Sequence, residues 1–120
     1  LCIYYADIAG NVSEENISRQ AIKYIRENYM DSELSVERVA DSVGFSHSYF
    51  SSSFKKEMGE ACSSYITRVR MEKAAGLLKD TNYKTYVIAK ETGYSDVAYF
   101  SYAFKHHYGV SPTKYRQNPQ

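Results

Sequence analysis

The stretch GFSHSYFSSSFKKEMG, residues 44–59, returns as GYSDVAYFSYAFKHHYG, residues 93–109. Each copy opens with Gly, an aromatic residue and Ser, and each closes with Gly. Between these lie two phenylalanines four apart, Phe50 and Phe54 in one and Phe100 and Phe104 in the other, each pair followed by a lysine, Lys55 or Lys105. A spacing of four puts both rings on one face of a helix. The copies differ by one residue in the turn, where SHSYF becomes SDVAYF. Ser46 is the expected cap of the first helix, and Asp96 stands at the cap of the second.

The residues upstream repeat as well. Ser35 is placed to cap a short helix whose Val36, Val39, Ala40 and Val43 share one face, and Gly44 supplies the backbone freedom for a tight stop. Thr85, Ile88, Ala89 and Thr92 occupy the same places before Gly93. Two short helices joined by a turn of about 3 to 4 residues containing Gly outline a helix-turn-helix. The chain therefore holds two, at about residues 35–59 and 84–109. Thr85 and Thr92 put hydroxyls where the first copy has methyls, so the second unit is expected to pack less tightly unless Tyr86 or Val87 compensates.

The remaining chain fits around this pair. Residues 61–79 carry Tyr65, Ile66, Val69, Ala74, Leu77 and Leu78 on an apolar stripe broken by Lys73, and read as one long helix ending near Asp80. Ser13 with Glu14 and Glu15 reads as the start of a first helix reaching about Met30, its inner face traced by Ile17, Ala21, Tyr24, Ile25 and Asn28. Ser111 followed by Pro112 opens a last short helix through Arg116. Residues 1–12 lack a clear period and read as a linker or the end of a preceding domain. The expected fold is all-α, with seven helices forming two helix-turn-helix subdomains bridged by a long connecting helix.

Composition excludes several classes. The chain has 120 residues, a net charge of +1 and 43% hydrophobic residues. No apolar run approaches the roughly 20 residues of a membrane span, so no membrane partner is expected. A first residue of Leu reads as a cut end rather than a natural start, so a piece of a larger protein is expected. Cys2 and Cys62 are the only thiols, which argues against a disulfide framework and fits a reducing cytoplasm. The small net charge hides an asymmetry: residues 1–60 carry 6 Lys/Arg against 10 Asp/Glu, residues 61–120 carry 9 against 4. The basic half is the C-terminal one.

A helix lying in the major groove keeps one face for its own core and turns the other, mostly near its N-terminus, to base edges and phosphates. The outward positions of the first repeat helix are Ser48, Ser51, Ser52 and Lys55, with His47 at the entrance. Those of the second are Ala98, Ser101, Tyr102 and Lys105, with Val97 at the entrance and His106 a turn beyond. Neither set contains a carboxylate, as a phosphate-facing surface requires. Lys55, Lys56, Lys105 and His106 are the expected phosphate contacts. A connecting helix of about 19 residues spans about 28 Å, close to the roughly 34 Å turn of B-DNA, so both helices could enter successive major grooves.

The repeated pair, VRMEKAAGLL at 69–78, IAKETGYSDVAYFSYAFK at 88–105 and GVSPTKYR at 109–116 resemble the DNA-binding domain of the AraC/XylS family of bacterial transcription regulators. The resemblance covers about residues 17–117. It implies sequence-specific binding of double-stranded DNA near promoters, contact with RNA polymerase, no cofactor, and an upstream sensing, receiver or dimerisation domain missing from this fragment. Base reading is carried over to Ser48, Ser51 and Ser52 in the first unit and to Val97, Ala98, Ser101 and Tyr102 in the second. Many relatives place Arg where Ser52 and Tyr102 stand, and such an Arg grips guanine with two hydrogen bonds. This chain has neither, so contacts from serine hydroxyls, and from Val97 or Ala98 to thymine methyls, are expected instead.

The adjacent His106 and His107 cannot point the same way on a helix, and no acid or Cys completes a metal quartet. The 13 tyrosines could line a groove for single strands, but Tyr24, Tyr65, Tyr108 and Tyr115 fall at core-facing positions. A protein-interaction module remains an alternative that a test with duplex DNA would separate. For an enzyme, the sequence offers no nucleophile paired with a base and no phosphate loop.

Overall fold

The computed structural model describes residues 14–118. The linker at 1–12 and the Ser13 cap lie outside the described residues. Among those described there are seven helices and no strand: α1 (Glu14–Asn28), α2 (Val36–Val43), α3 (His47–Met58), α4 (Cys62–Asp80), α5 (Thr85–Glu91), α6 (Val97–Tyr108) and α7 (Pro112–Gln117). No helix among the described residues is long and apolar enough to cross a membrane.

The chain divides into two units. One takes α1 and Leu34–Ile66; the other takes Tyr29–Glu33 and the chain from Thr67 onward. In the first unit α1, α2 and α3 pack on one another. Ile17, Ala21, Ile25, Val39, Ala40, Phe50 and Phe54 are all buried. Phe50 and Phe54 have ring centroids 5.6 Å apart, and Phe54 meets Tyr65 edge-on at 5.8 Å. Each such aromatic pair adds about 0.5–1.5 kcal/mol beyond its buried area. The Arg26 guanidinium lies over the Tyr65 ring at 5.9 Å.

In the second unit Met71, Ala74, Ala75 and Leu78 of α4 join Ile88, Ala89, Phe100, Phe104 and Tyr115 in one buried cluster. The apolar stripe of α4 is therefore wider than its sequence period suggests, since Met71 and Ala75 belong to it. Of the four tyrosines read as core residues, Tyr65 and Tyr115 are buried, whereas Tyr24 and Tyr108 are half-buried. Tyr108 stays at the edge because its hydroxyl donates to the Met71 carbonyl at 3.4 Å.

Side-chain caps set the starts of most of these helices. Ser35, Ser46 and Ser111 each accept from the amide three residues on, and Asp96 accepts from Ala98 and Tyr99. Each cap is worth about 1 kcal/mol. Helix α5 has Lys84 at its N-cap position and no side-chain cap.

The hydroxyl of Thr92 is satisfied within its own helix. Thr92 is fully buried, and its Oγ1 donates to the Ile88 carbonyl at 2.8 Å and the Ala89 carbonyl at 3.2 Å. Tyr86, proposed as compensation, is instead 60% exposed. A buried hydroxyl satisfied by its own helix needs no outside partner. Cys62 is buried, and burial pushes its thiol up to about 12, leaving it protonated and unreactive near neutral pH.

Candidate nucleic-acid interface

Helix α3 opens at a turn fixed by two local constraints. Gly44 takes a left-handed φ of 82°, and Ser46 Oγ accepts from the Tyr49 amide at 3.2 Å. With Phe50 and Phe54 at 0% exposure, the opposite face of α3 must point outward. Ser48, Ser52, Lys55 and Lys56 are exposed on it, and His47 is exposed at the entrance of the helix. Ser51 is half-buried. It stands about 100° round the helix from Phe50, which puts it at the margin of the face rather than on its crest. The next serine, Ser53, is buried beside Phe54.

Helix α6 repeats this arrangement. Gly93 has φ 91°, and Asp96 Oδ1 accepts from the Ala98 amide at 2.9 Å and the Tyr99 amide at 3.4 Å. Phe100 and Phe104 are fully buried, while Val97, Ala98, Tyr102, Lys105 and His106 are exposed. Ser101 is half-buried, at the same marginal position as Ser51. The one acid at the start of α6, Asp96, is occupied as its cap.

Two residues that the outward reading passed over belong to these surfaces. Tyr49 is 49% exposed and Tyr99 60% exposed. Each precedes a buried Phe, so each is turned about 100° away from the core, and the shared YF dipeptide was the available signal. Tyr49 rests on Phe45 with ring centroids 5.2 Å apart. Tyr99 begins a row: Tyr94 to Tyr99 is 6.0 Å, Tyr99 to Tyr102 is 6.5 Å, and Tyr102 to His106 is 6.2 Å with rings inclined by 17°. The outward face of α3 is thus small and hydroxyl-bearing. That of α6 is broad and aromatic.

Among the described residues no cluster of three or more His, Cys, Asp or Glu could hold a metal ion.

A family model described as a helix-turn-helix domain matches residues 39–118. The C-terminal domain of AraT, a response regulator from Geobacillus stearothermophilus, is 40% identical with a TM-score of 0.84, over 87% of this chain and 86% of that one. The xylose operon regulatory protein of Escherichia coli K12 is 37% identical over 97 residues, 81% of this chain and 24% of its own length. The regulatory protein PocR of Salmonella typhimurium is 33% identical over 108 residues, 90% of this chain and 35% of its own. The chain thus spans about a quarter to a third of these curated relatives. The DNA-binding domain of AdpA, solved in complex with a target DNA, shares the fold with a TM-score of 0.78 at 22% identity, over 86% of this chain and 96% of that one. Fold, repeated helix-turn-helix units and family model agree: this chain belongs to the AraC-type helix-turn-helix family, the DNA-binding domains of transcription regulators rather than enzymes.

Proposed function

We propose that residues 13–120 form a sequence-specific binding domain for double-stranded DNA that places α3 and α6 in successive major grooves near promoters. The observation that carries this reading is the duplicated helix, capped at its start and closed by Gly, with a carboxylate-free outward face in both copies. His47, Ser48, Ser51 and Ser52 read bases in the first segment, and Val97, Ala98, Ser101 and Tyr102 in the second. Lys55, Lys56, Lys105 and His106 hold phosphates. Without an Arg at Ser52 or Tyr102, recognition relies on hydroxyl bonds and on apolar contact with thymine methyls. The AdpA complex with DNA supports the use of this fold on a duplex.

The greater length of the curated relatives supports a parent protein with a further domain upstream, for sensing, receiving or dimerisation. The response-regulator description of AraT favours a receiver. Contact with RNA polymerase and a cytoplasmic setting follow from promoter-proximal regulation.

The two reading helices differ at most outward positions, so one chain recognises an asymmetric site. Its two contacted segments lie about 10 base pairs apart on one side of the duplex. Helix α4 has 19 residues and a length of about 28 Å, somewhat under a B-DNA turn, so a modest bend toward the protein is expected. Hydroxyl-radical footprinting on a selected site, repeated at several salt concentrations, tests the proposal. Two protected segments are expected, with log affinity falling against log salt at a slope of roughly −2 to −4 for a few phosphates. Absence of protection, or affinity indifferent to salt, refutes it.

A further inference from the structure

The outward aromatic row of α6 has support behind it. Arg70, on α4, donates from Nε to the Tyr29 carbonyl at 3.0 Å and from Nη2 to the Asp31 carbonyl at 2.8 Å. Two carbonyls held by one planar guanidinium fix its orientation, which a lysine cannot do. The same guanidinium lies 5.4 Å from the centre of the Tyr94 ring. A cation at that distance attracts the ring face. Tyr94 in turn touches two residues of α6, the buried Phe100 at 5.4 Å and the exposed Tyr99 at 6.0 Å. From Tyr99 the row continues to Tyr102 and His106.

We propose that Arg70 is a positioning residue for DNA reading by the second helix: through Tyr94 it holds Tyr99 and Tyr102 in the orientation that faces the duplex. The proposal rests on the reading of α6 as a recognition helix. It reaches a residue on α4 with no place on the reading face.

Three features argue that the support acts on ring orientation. A crevice of about 350 Å³ is lined by Arg70, Gly93, Tyr94 and Tyr99 among others, so the two rings have space to turn into if the guanidinium is withdrawn. Gly93, whose φ of 91° a side chain rarely adopts, brings the backbone beside the Tyr29 carbonyl and Arg70, which leaves the guanidinium little freedom to shift. Burial raises the Tyr94 phenol above its ordinary value, while the Arg70 charge and a hydrogen bond from its side chain oppose that rise, so Arg70 engages the phenol oxygen as well as the ring.

The test uses the chain with Arg70→Ala, Arg70→Lys, Tyr94→Leu and Tyr94→Phe. Each variant is first checked by circular dichroism and thermal melting, and then measured below its melting range. Ring resonances of Tyr99 and Tyr102 in the free protein should move in Arg70→Ala and Tyr94→Leu and move less in Tyr94→Phe, which keeps the ring against the guanidinium and loses only the hydroxyl. On the selected DNA site, Arg70→Ala should lower preference for the native second segment by about tenfold while the first segment keeps its sequence preference. Arg70→Lys keeps the charge but not the two-carbonyl grip, so it should fall between. Unmoved tyrosine resonances, or equal weakening at both segments, would overturn the positioning role. The unsubstituted chain is the control for the underlying reading: if it protects the first segment alone, α6 does not read DNA, whatever the resonances show.

Discussion

On α3 the face turned from the core carries Ser48, Ser52 and Lys55; at the matching places α6 carries Ala98, Tyr102 and Lys105. Beneath these surfaces Phe50 and Phe54 correspond to Phe100 and Phe104, all four without exposure, and Gly59 and Gly109 both close their helices in the left-handed region. Inward positions answer to packing density, which leaves little choice of shape. Outward positions answer to whatever the surface meets. A duplicated scaffold can therefore keep one core plan and present two unlike faces. The broader face has the extra buttress, since the large rings of α6 lean on Tyr94 and through it on Arg70, whereas Tyr49 of α3 leans on Phe45.

The sharpest way to separate the two units is at their turn glycines. Gly44 and Gly93 have φ of 82° and 91°, so alanine is strained at both by about 1–2 kcal/mol. A Cβ on Gly44 would meet nothing within 4 Å. A Cβ on Gly93 would collide with the Tyr29 carbonyl oxygen and come within 2.8 Å of Arg70 Nε. Backbone cannot yield as a surface side chain does, so Gly93→Ala should cost about 3 kcal/mol or more, against about 1–2 kcal/mol for Gly44→Ala. Urea denaturation of the two variants reads the difference. Equal losses would show that the Tyr29–Glu33 segment does not press on Gly93 in solution.

This part of the molecule also marks the limit of what the sequence discloses. The repeat, the caps at Ser35, Ser46 and Ser111 and the buried phenylalanines are local signals, carried by residues within one turn of each other. The outward faces follow from them by helical geometry. Arg70 gave no such signal, because it acts on carbonyls 39 and 41 residues away and any residue type can supply a carbonyl. Arg116 is similar: it donates from Nε to the Leu78 carbonyl at 3.0 Å and from Nη2 to the Thr81 carbonyl at 3.1 Å, closing the end of α4. Both lie in the motifs that carry the family resemblance, VRMEKAAGLL and GVSPTKYR, but nothing in the sequence marks the carbonyls they hold. Ser51 and Ser101 were legible as members of the repeated helices but not as marginal ones, since their exposure depends on how closely neighbouring helices approach.

The next comparison concerns the faces themselves. Ser52→Ala should alter base preference in the first segment only, and Tyr102→Ala in the second only, each by about 1–3 kcal/mol at the affected base pairs. Lys55→Ala and Lys105→Ala should weaken binding to all sequences alike and reduce the salt slope by about 1 each. Site selection from a randomised duplex pool distinguishes the two behaviours. If Tyr102→Ala returned the same site at lower affinity, Tyr102 would be a support for the duplex rather than a reader of it.

The smallest contrast lies between two buried hydroxyls, one in each unit. Thr92 is fully buried and donates to the carbonyls of Ile88 and Ala89. Ser18, on α1, is 1% exposed, and its Oγ has no hydrogen-bond partner among the described residues. A satisfied hydroxyl contributes about 1 kcal/mol net, whereas an unsatisfied one carries a desolvation penalty of similar size. Thr92→Val should therefore destabilise by about 0.5–1 kcal/mol. The lower end is favoured because the Ile88 and Ala89 carbonyls also accept from the Thr92 amide, at 3.1 and 3.2 Å, and are not orphaned by the loss. Ser18→Ala removes a polar group that gains nothing from burial and should stabilise by about 1 kcal/mol. Urea midpoints at unchanged slope would show opposite shifts for the two variants. A loss of stability in Ser18→Ala would mean that its hydroxyl finds a partner in solution, and that the first unit, like the second, leaves no buried hydroxyl unpaired.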